Sequence, residues 1–476
     1  MKKKLLNLVL IIILIDFVGL SRIANAQTIS AGAAHSFFIC SDSTVSSWGY
    51  NTYGQLGDGT LSSTFANPPV QVSSLIGITA VAGGGGHSLF LKNDGTVWAC
   101  GRNNYGQFGD GTTTNDSIAF QIIGLSDITA IAAGDFHSLF LKNDGTVWAC
   151  GRNTSGELGD GTTIQRTTPV QVNSVNGIVA LAGGTSHSLF LKNDGTVWAC
   201  GYNNYGQLGD GTTTETHTPV QANSLSGITS VKAGNRFSVF LKNDGTVWAS
   251  GDNTYGQLGN GTNTNTFANP PTQANSLIGI TAIAVGYAHS LFLKNDGTVW
   301  SCGYNSAGQL GDGTPYNRPT PDVVSSLSGI TFIAAGGAAA DHSLFLKNNG
   351  TVWACGQNGF GQLGDGTTTN DFTIVQTIGL CNFLSVEENS VLNNMSIYPN
   401  PSNGIFNLNV ELQSNIKLQI GIYNLTGQLV KSINSSEFIE GINVKNIDAS
   451  ELSNGTYFVK VYNENLNKPL KFIINK

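Results

Sequence analysis

Charged residues are scarce in this chain of 476 residues, where Asp, Glu, Lys and Arg make up 11% of the sequence. Residues 27–380 hold 12 Lys and Arg against 21 Asp and Glu, and no cluster of basic residues occurs among them. Proteins that bind phosphate backbones carry a basic patch or stripe on their surface. The sequence therefore argues against a nucleic-acid partner.

Helical periodicity is also missing, because apolar residues do not recur at i, i+3 and i+4 between Gln27 and Leu380. Its absence excludes a helical solenoid. The chain likewise lacks a nucleophile elbow, a phosphate loop and a His-Glu-x-x-His motif. We therefore expect no catalytic residue, no cofactor and no metal, and predict that the protein is not an enzyme.

What the chain does contain is a block of about fifty residues that returns seven times, each copy carrying Gly-x-Asn-x-x-Gly-Gln-Leu-Gly-Asp-Gly-Thr or a near variant. The copies align on Gly49, Gly101, Gly151, Gly201, Gly251, Gly303 and Gly356. Each copy has four short β-rich runs, and Asn-Asp-Gly between the second and third is typical of a tight hairpin. Seven such units predict an all-β fold, with a seven-bladed β-propeller of four-stranded blades over residues 27–381.

The copies resemble the repeats of the regulator of chromosome condensation (RCC) family, as in His137-Ser-Leu-Phe-Leu-Lys-Asn-Asp-Gly-Thr-Val-Trp148-Ala-Cys150-Gly. The position before the aligned Gly is often Trp in that family. Here it is Trp48 in the first copy, Ser250 in the fifth and Cys in the other five. Equivalent positions in different blades are too far apart for disulfides, so we expect these Cys to be small buried residues. Cys40 and Cys381 lie outside the repeat position, and the sequence leaves open whether they pair.

The N-terminus has the pattern of a secretory signal peptide over residues 1–26. Three Lys precede an apolar run, and small residues precede a cleavage site between Ala26 and Gln27. The run is short and Asp16 interrupts it, which argues against a membrane anchor. We therefore expect no transmembrane span in the mature chain.

After a linker over residues 382–395, residues 396–476 are predicted to form a small β-sandwich of alternating strands with Gly and Asn turns. This segment resembles the C-terminal sorting domain of the type IX, or Por, secretion system of Bacteroidetes. The motif residues are Tyr398, Pro399, Asn400, Pro401, Gly404, Phe406, Gly427, Gly455 and Tyr457. The resemblance implies that the type IX secretion machinery is a partner, and that the protein is secreted or held at the outer cell surface.

Two sets of repeated polar residues could suggest metal sites. A His stands fourteen residues before the aligned Gly in six of the seven copies, and Phe237 takes its place in the fifth. One His per blade is too dispersed to ligate an ion, so we predict a structural His that satisfies backbone groups at a blade turn. The Asp of each Asp-Gly-Thr lacks the Asp-x-Asp-x-Asp spacing of a calcium loop and is predicted to be a turn residue.

Variation between copies is concentrated on one predicted face. In an up-and-down blade the loops between strands one and two and between strands three and four lie on the same face, which we call the Tyr/Arg face; the Lys-Asn-Asp-Gly hairpins lie on the opposite hairpin face. Tyr and Arg are the residue types that dominate binding hot spots. The candidate binding residues are Tyr50, Tyr53, Arg102, Tyr105, Phe136, Arg152, Tyr202, Tyr205, Arg236, Tyr255, Tyr287, Tyr304 and Phe360.

The alternative for these side chains is that they pack over the neighbouring blade as part of the repeat's own core. The function that the sequence favours is an exported propeller that binds a protein or a glycan through the Tyr/Arg face. An extracellular hydrolase is the second hypothesis, and it requires a pair of acids with shifted pKa values near the central channel. Guanine-nucleotide exchange, the activity of the family's namesake, is less favoured because the chain is expected to be exported.

Overall fold

The computed structural model describes residues 28–476 except 62–64, 74, 264–266, 338–340, 382–391, 413–414, 425–427 and 463–466. The predicted signal peptide, its cleavage site and most of the predicted linker lie outside these residues. The chain divides into two compact units, Met1–Cys381 and Asn382–Lys476. Where the structure describes the chain, no helix has the length and apolar character needed to cross a membrane.

The described residues of the first unit form seven four-stranded sheets, each built from consecutive strands. In chain order the blades are blade 1, β1 (Thr28–Ala31), β2 (His35–Ile39), β3 (Val45–Tyr50) and β4 (Phe65–Gln71); blade 2, β5 (Ile78–Gly83), β6 (His87–Lys92), β7 (Val97–Gly101) and β8 (Asp116–Gln121); blade 3, β9 (Ile128–Ala133), β10 (His137–Lys142), β11 (Val147–Gly151) and β12 (Arg166–Gln171); blade 4, β13 (Ile178–Gly183), β14 (His187–Lys192), β15 (Val197–Gly201) and β16 (Thr216–Gln221); blade 5, β17 (Ile228–Ala233), β18 (Phe237–Lys242), β19 (Val247–Gly251) and β20 (Ala268–Gln273); blade 6, β21 (Ile280–Val285), β22 (His289–Lys294), β23 (Val299–Gly303) and β24 (Arg318–Val323); and blade 7, β25 (Ile330–Ala335), β26 (His342–Lys347), β27 (Val352–Gly356) and β28 (Asp371–Gln376). The predicted seven-bladed propeller is confirmed.

Local sequence explains the middle hairpin of every blade. In blade 3, β10 pairs with β11 so that His137 faces Gly151 and Leu141 faces Val147. The turn between them closes with a hydrogen bond from Lys142 N to Thr146 O at 2.9 Å, and its Gly145 has φ +78°. A positive φ is accessible to Gly without a steric penalty, which is why Asn-Asp-Gly recurs at this turn.

The core of the propeller lies between blades. Side chains alternate between the two faces of a strand. Leu139 in β10 of blade 3 and Phe190 in β14 of blade 4 thereby lie in one buried cluster, together with Cys200. The same kind of cluster recurs at the other blade borders. Sheets that pack face to face through alternating apolar side chains exclude water from the space between them. The repeat therefore encodes both the blade and its contact with the next blade.

A covalent bond joins the two ends of the ring. Cys40, in the loop between β2 and β3 of blade 1, is disulfide-bonded to Cys381, which follows blade 7. The innermost strand of blade 1 is β1, which pairs with β2. The sequence offers a second β-rich run that could close the ring at this place, Phe383 to Val386, and that run lies outside the described residues. Disulfides are characteristic of exported proteins.

The second unit is a small sandwich. Its strands are β29 (Leu392–Tyr398), β30 (Ile405–Leu412), β31 (Ile416–Tyr423), β32 (Leu429–Phe438), β33 (Gly441–Asp448), β34 (Gly455–Tyr462) and β35 (Asn467–Ile474). They form a three-stranded sheet in the order β29, β30, β33 and a four-stranded sheet in the order β32, β31, β34, β35. Alternate residues of both sheets, such as Leu408 and Val459, bury themselves in one shared core. The all-β fold that the sequence predicts for this segment is confirmed.

Candidate functional site

The Tyr/Arg face is built from two loops of each blade, which backbone hydrogen bonds hold together. In blade 1, Tyr50 N donates to Ala34 O at 2.9 Å, and the equivalent bond in blade 2 runs from Arg102 N to Gly86 O at 2.8 Å. The aligned Gly allows this approach, since a Cβ at Gly49 would lie 2.4 Å from Ala34 O. Because of these bonds, the side chain that follows each aligned Gly leaves the sheet on the same face as the loop between the first two strands.

The Asn, Asp and Thr of each long loop form its internal scaffold. In blade 2, Asn103 Oδ1 accepts from Phe108 N at 3.0 Å, and Asn103 Nδ2 donates to Asp110 Oδ1 at 3.3 Å. Asp110 Oδ1 also accepts from Thr112 N at 3.0 Å. These bonds confirm the prediction that the Asp of Asp-Gly-Thr is a turn residue. Among the described residues, no three His, Cys, Asp or Glu side chains come together as a metal site would require.

Aromatic and Arg side chains of blades 1 to 3 form a continuous stack on this face. The guanidinium carbon of Arg102 lies 5.0 Å from the ring centre of Tyr53, 5.9 Å from Tyr105 and 5.3 Å from Phe136. Arg152 lies on Phe136 at 4.6 Å. Cation–π contacts of this kind contribute about 0.5–1 kcal/mol each at exposed sites. The stack fixes the position of side chains that remain half-exposed.

Aromatic and Arg side chains of this face also contact each other across other blade borders. Tyr205 of blade 4 stacks under Arg236 of blade 5 at 4.7 Å and accepts a hydrogen bond from its Nη1 at 2.8 Å. The ring centres of Tyr255 and Tyr304 are 4.7 Å apart, as are those of Tyr50 and Phe360. The alternative of packing over the neighbouring blade therefore applies to much of the predicted set. Arg236 and Phe360 are nevertheless exposed, and the other eleven candidates are half-exposed.

At the border between blades 5 and 6 the face opens into a groove. Its floor includes a backbone hydrogen bond from Asn235 N to Tyr287 O at 3.2 Å. The groove is lined by Asn235, Arg236, Asp252, Thr254, Tyr255, Gln257, Tyr287 and Ala288. Three of the thirteen predicted residues thus come together here. The candidate set drawn from the sequence contains those three, Arg236, Tyr255 and Tyr287, but not Asp252 or Gln257.

Sequence reasoning also missed the partner of the repeated His. His137 Nε2 lies 2.9 Å from Ser188 Oγ of the next blade, and Ser188 Oγ donates to Glu157 O of blade 3 at 2.6 Å. The sequence predicts an imidazole that satisfies backbone groups, whereas His137 reaches the backbone carbonyl of Glu157 through the Ser188 hydroxyl. The Ser that follows the His position in every copy was the available signal. The equivalent links are His35 to Ser88, His87 to Ser138, His187 to Ser238, His289 to Ser343 and His342 to Ser36.

The direction of these hydrogen bonds determines which nitrogen of each imidazole carries the proton. Since Ser188 gives its one proton to a carbonyl, it must accept from Nε2 of His137, and Nδ1 is then the unprotonated nitrogen. Burial lowers the pKa of His35 and His87 to about 3 and that of His187 to about 4, and it holds the pKa of His137 well below its usual value. These imidazoles are therefore neutral at physiological pH.

The residue before each aligned Gly reinforces the same joint. Trp48 Nε1 donates to Gln362 O at 2.8 Å, and Cys150 Sγ lies 3.3 Å from Gln107 O. Ser250 occupies the same place at 3.4 Å from Gln207 O. Burial raises the pKa of the Cys150 thiol, so it remains protonated and can donate weakly. The replacement of Trp by Cys or Ser therefore keeps a donor to the preceding blade.

Asp341, His289 and Ser343 have the connectivity of a hydrolase triad. His289 Nδ1 is 3.5 Å from Asp341 Oδ1, and His289 Nε2 is 3.0 Å from Ser343 Oγ. Ser343 is completely buried, however, and its hydroxyl donates to Gln309 O at 2.7 Å. A nucleophile must reach its substrate, so this geometry serves the blade border and not hydrolysis.

The central channel, lined by the first strand of each blade, holds two titratable groups of note. Burial raises the pKa of Asp135 to about 6, opposed by a hydrogen bond from Thr185 and by Arg152. Lys232 lies within the channel, where its side chain is accessible but the surrounding strands limit hydration and lower its pKa. The described channel lining has no second acid beside Asp135. The acid pair that the hydrolase hypothesis requires is therefore not present in that lining.

The predicted sorting motif occupies structural positions in the sandwich. Phe406 is buried against Phe472, with ring centres 4.6 Å apart, and Tyr457 packs on the same ring at 5.8 Å. Asn400 Oδ1 accepts from Ile473 N at 2.9 Å. Tyr398 ends β29, Pro399 and Pro401 flank Asn400 in the segment that follows, Gly404 precedes β30, and Gly455 begins β34. Gly427 lies outside the described residues.

Comparison with known proteins agrees with this geometry. The RCC1-like domain profile matches residues 123–391, which is more than half of the chain. The chain belongs to the RCC1-like domain family. Profiles of the regulator of chromosome condensation (RCC1) repeat also match residues 27–55, 42–91, 78–107 and 94–141. The profile described as the secretion system C-terminal sorting domain matches residues 396–475. That domain indicates export through the type IX system, to the medium or to the cell surface.

Individual relatives share only part of their length with this RCC1-like protein. The Protein RCC2 homolog of Danio rerio is 41% identical over 83 residues, which cover 17% of this chain and 17% of the relative. The probable E3 ubiquitin-protein ligase HERC4 of Homo sapiens is 44% identical over 99 residues, covering 20% of this chain and 9% of the relative. The chain thus spans less than a fifth of the length of these curated relatives.

Two solved structures share the propeller fold. Human WBSCR16 superimposes with a TM-score of 0.64 at 21% identity, covering 71% of this chain and 95% of that chain. Prp20p from Saccharomyces cerevisiae superimposes with a TM-score of 0.63 at 23% identity, covering 79% of this chain and 92% of that chain. At this level of identity the likeness concerns the fold alone.

Proposed function

We propose that this RCC1-like protein is an exported interaction module that binds an extracellular protein or glycan through its Tyr/Arg face. The observation that carries the proposal is the contrast between the two faces. The hairpin face repeats Lys-Asn-Asp-Gly with little change, whereas the Tyr/Arg face presents different Tyr, Arg and Phe side chains from blade to blade. Large, half-exposed aromatic and Arg side chains held by their neighbours are suited to binding, because little entropy is lost when a partner packs on them.

The contacts between these side chains support this use. Arg102 is held among three aromatic rings, and within the described residues its buried Nε has no hydrogen-bond partner. Arg236 is fixed by Tyr205 while remaining exposed. Side chains positioned in this way need not be reorganised on binding.

Binding is tested with the full-length chain immobilised and exposed to a panel of polysaccharides and extracellular protein extracts. In the test variant, Arg102, Tyr105, Tyr202 and Tyr205 are changed to Ala. The matched control changes four exposed hairpin-face residues, Asn143, Asn193, Asn243 and Asn295, to Ala. We expect retention of a partner that is lost in the first variant and kept in the second. Equal retention by both variants would contradict the assignment of the face.

We further propose that export begins with removal of residues 1–26 and ends with removal of the sorting domain or its use for attachment. The intact mass of the secreted protein tests both steps. A chain that begins at Gln27 is expected, and a secreted chain that retains Met1 would contradict the signal peptide. A mass that corresponds to a chain ending before residue 396 would show that the protein is released by cleavage of the sorting domain.

A further inference from the structure

The groove between blades 5 and 6 departs from the repeat in the residues that line it. At the position of Asn235 and Tyr287 the other described blades carry Ala33, Gly85, Asp135 and Thr185, none of which is aromatic. Arg236 stands at a position where most blades carry a smaller residue. The same blade has Phe237 where the other six have His. This border therefore carries changes that the architecture of the propeller does not require.

Several hydrogen-bonding groups of the groove are free to face a ligand. Asp252 Oδ1 accepts from Thr254 N at 2.9 Å and from Thr254 Oγ1 at 2.6 Å, which leaves Oδ2 without a partner among the described residues. Gln257 lies beneath these groups, since it is only 2% exposed and its Oε1 accepts from Tyr255 N at 3.0 Å. Arg236 uses one nitrogen on Tyr205 and keeps further donors. Donors and acceptors thus lie side by side on planar groups.

Aromatic surface accompanies these groups. Tyr255 packs on Tyr304 at 4.7 Å, so its orientation is fixed. Tyr287 is half-exposed, and no stacking ring or cation contacts it within the described residues. Aromatic rings with one open face provide a flat apolar surface with a polar tip.

The composition of the lining indicates the class of ligand. One cation, Arg236, and one anion, Asp252, give the groove no net charge, which disfavours a phosphate or a polyanion. Ala288 is the one aliphatic side chain in the lining, so no apolar pocket is available for a peptide anchor residue. A ligand with many hydroxyl groups and apolar C–H faces can use both the planar hydrogen-bonding groups and the Tyr rings.

We propose that this groove binds a neutral polysaccharide, with Tyr287 packing on a sugar face and with Asp252 and Arg236 hydrogen-bonded to its hydroxyls. The proposal rests on the proposed function, because it gives the Tyr/Arg face a specific ligand class and place. The ligand is placed here at the border of blades 5 and 6, whereas the proposed function concerns the whole Tyr/Arg face.

Affinity electrophoresis of the full-length chain tests the proposal, in gels that contain laminarin, mannan or xyloglucan, or the acidic polysaccharide alginate. The variants are Tyr287→Ala, and Asp252→Asn, which keeps Oδ1 for the Thr254 turn. The control is Tyr316→Ala, an exposed Tyr in the loop between β23 and β24 that belongs neither to the candidate binding residues nor to the groove lining. An unchanged thermal unfolding midpoint verifies that each variant is folded.

We expect at least one neutral polysaccharide to retard the wild-type chain. The apparent Kd should rise about tenfold or more in Tyr287→Ala, which corresponds to at least about 1.4 kcal/mol. It should rise several-fold in Asp252→Asn and remain within about twofold in Tyr316→Ala.

Retardation by alginate alone, or by none of the polysaccharides, would overturn the proposal. So would retardation that depends on Tyr316 and not on Tyr287. The proposed function can survive these outcomes, because retention of a protein partner that depends on Arg102, Tyr105, Tyr202 and Tyr205 is measured separately. Loss of both kinds of retention would end both proposals.

Discussion

His137 donates its Nε2 hydrogen to Ser188, whose Oγ lies 2.9 Å away in the next blade. Neither side chain is exposed to solvent, and Nδ1 of His137 has no hydrogen-bond partner in the described structure. A proton added to Nδ1 would therefore create a buried charge without a partner. Six His–Ser links lie at the described blade borders. Burial lowers the pKa of the imidazole in four of them, those of His35, His87, His137 and His187, and these four make the propeller sensitive to acid.

The first prediction concerns stability against pH. The pKa of His35 and His87 is lowered to about 3 and that of His187 to about 4, whereas an unfolded His titrates near pH 6.5. As pH falls below about 6.5, the unfolded chain takes up these protons first, so the free energy of unfolding falls as well. By pH 5 each of these imidazoles lowers it by about 2 kcal/mol. Asp135, with its raised pKa of about 6, acts in the opposite direction but is a single group.

Urea unfolding of the full-length chain at pH 7.5, 6.5, 5.5 and 5.0 measures this dependence. A steep loss of stability is expected below pH 6.5, with a smaller slope in His187→Phe, which copies the residue found naturally at Phe237. A free energy of unfolding that stays level between pH 7.5 and 5.0 would show that the imidazoles are protonated in the folded chain.

The second prediction compares two serines that differ only in their His partner. Ser188 joins His137 to Glu157 O, whereas Ser290 faces Phe237 and keeps only its bond to Gln257 O at 2.8 Å. Ser188→Ala should therefore cost about 1 kcal/mol more than Ser290→Ala, which is the usual net worth of one hydrogen bond. Chemical denaturation at pH 7.5 provides both values. Equal losses would mean that the His–Ser bond adds nothing to the border.

The third prediction concerns the Cys40–Cys381 disulfide, which closes the ring across 341 residues of sequence. Removing a native disulfide of this kind costs about 2–5 kcal/mol, since the unfolded chain gains freedom. Cys381→Ser should lower the thermal midpoint, and dithiothreitol should have the same effect on the wild type but none on the variant.

Thiol labelling provides the control for the disulfide. The other five Cys are buried, and burial raises their pKa, so they should resist iodoacetamide in the folded chain. Five labels are expected after unfolding without reductant, and seven with it. Seven labels without reductant would exclude the disulfide.

These contacts show where the sequence was informative. The blades follow from local signals, because the Asn-Asp-Gly turns and the alternation of apolar residues act over a few positions, as in the hairpin from His137 to Gly151. The His–Ser links join equivalent positions of different copies, so no spacing within one copy reveals them. Tyr53 shows the same limit. A Tyr at this position could be open to solvent or stacked on a neighbour, and it is stacked because Arg102 of the next blade lies over its ring.

The groove shows a further limit. Tyr255 and Tyr287 were identifiable as variable residues, but they belong to different copies, as do their loops. Which loops meet depends on the order of the blades around the ring and on how far each loop leans. The disulfide was uncertain for a similar reason, because Cys40 and Cys381 become neighbours only when the ring closes.

The last prediction concerns the one repeat that has Glu in place of Gln. Glu157 is completely buried, and its Oε1 accepts from Arg152 Nε at 2.9 Å while Oε2 accepts from Ser155 N at 2.8 Å. In blade 2, Gln107 Oε1 accepts the equivalent bond from Tyr105 N at 2.8 Å without needing a cation. Arg152→Ala would leave a buried carboxylate unpaired and should cost about 3–5 kcal/mol.

The double variant Arg152→Ala with Glu157→Gln separates charge from packing. Because Gln fits the same position in the other blades, the second change should recover most of the stability that the first removes, while Glu157→Gln alone should change it by less than about 1.5 kcal/mol. Urea unfolding of the three variants at pH 7.5 gives the comparison. A double variant as unstable as Arg152→Ala would show that Arg152 contributes through its stack on Phe136 and its bonds to Thr185 and Ser186, and not by neutralising Glu157.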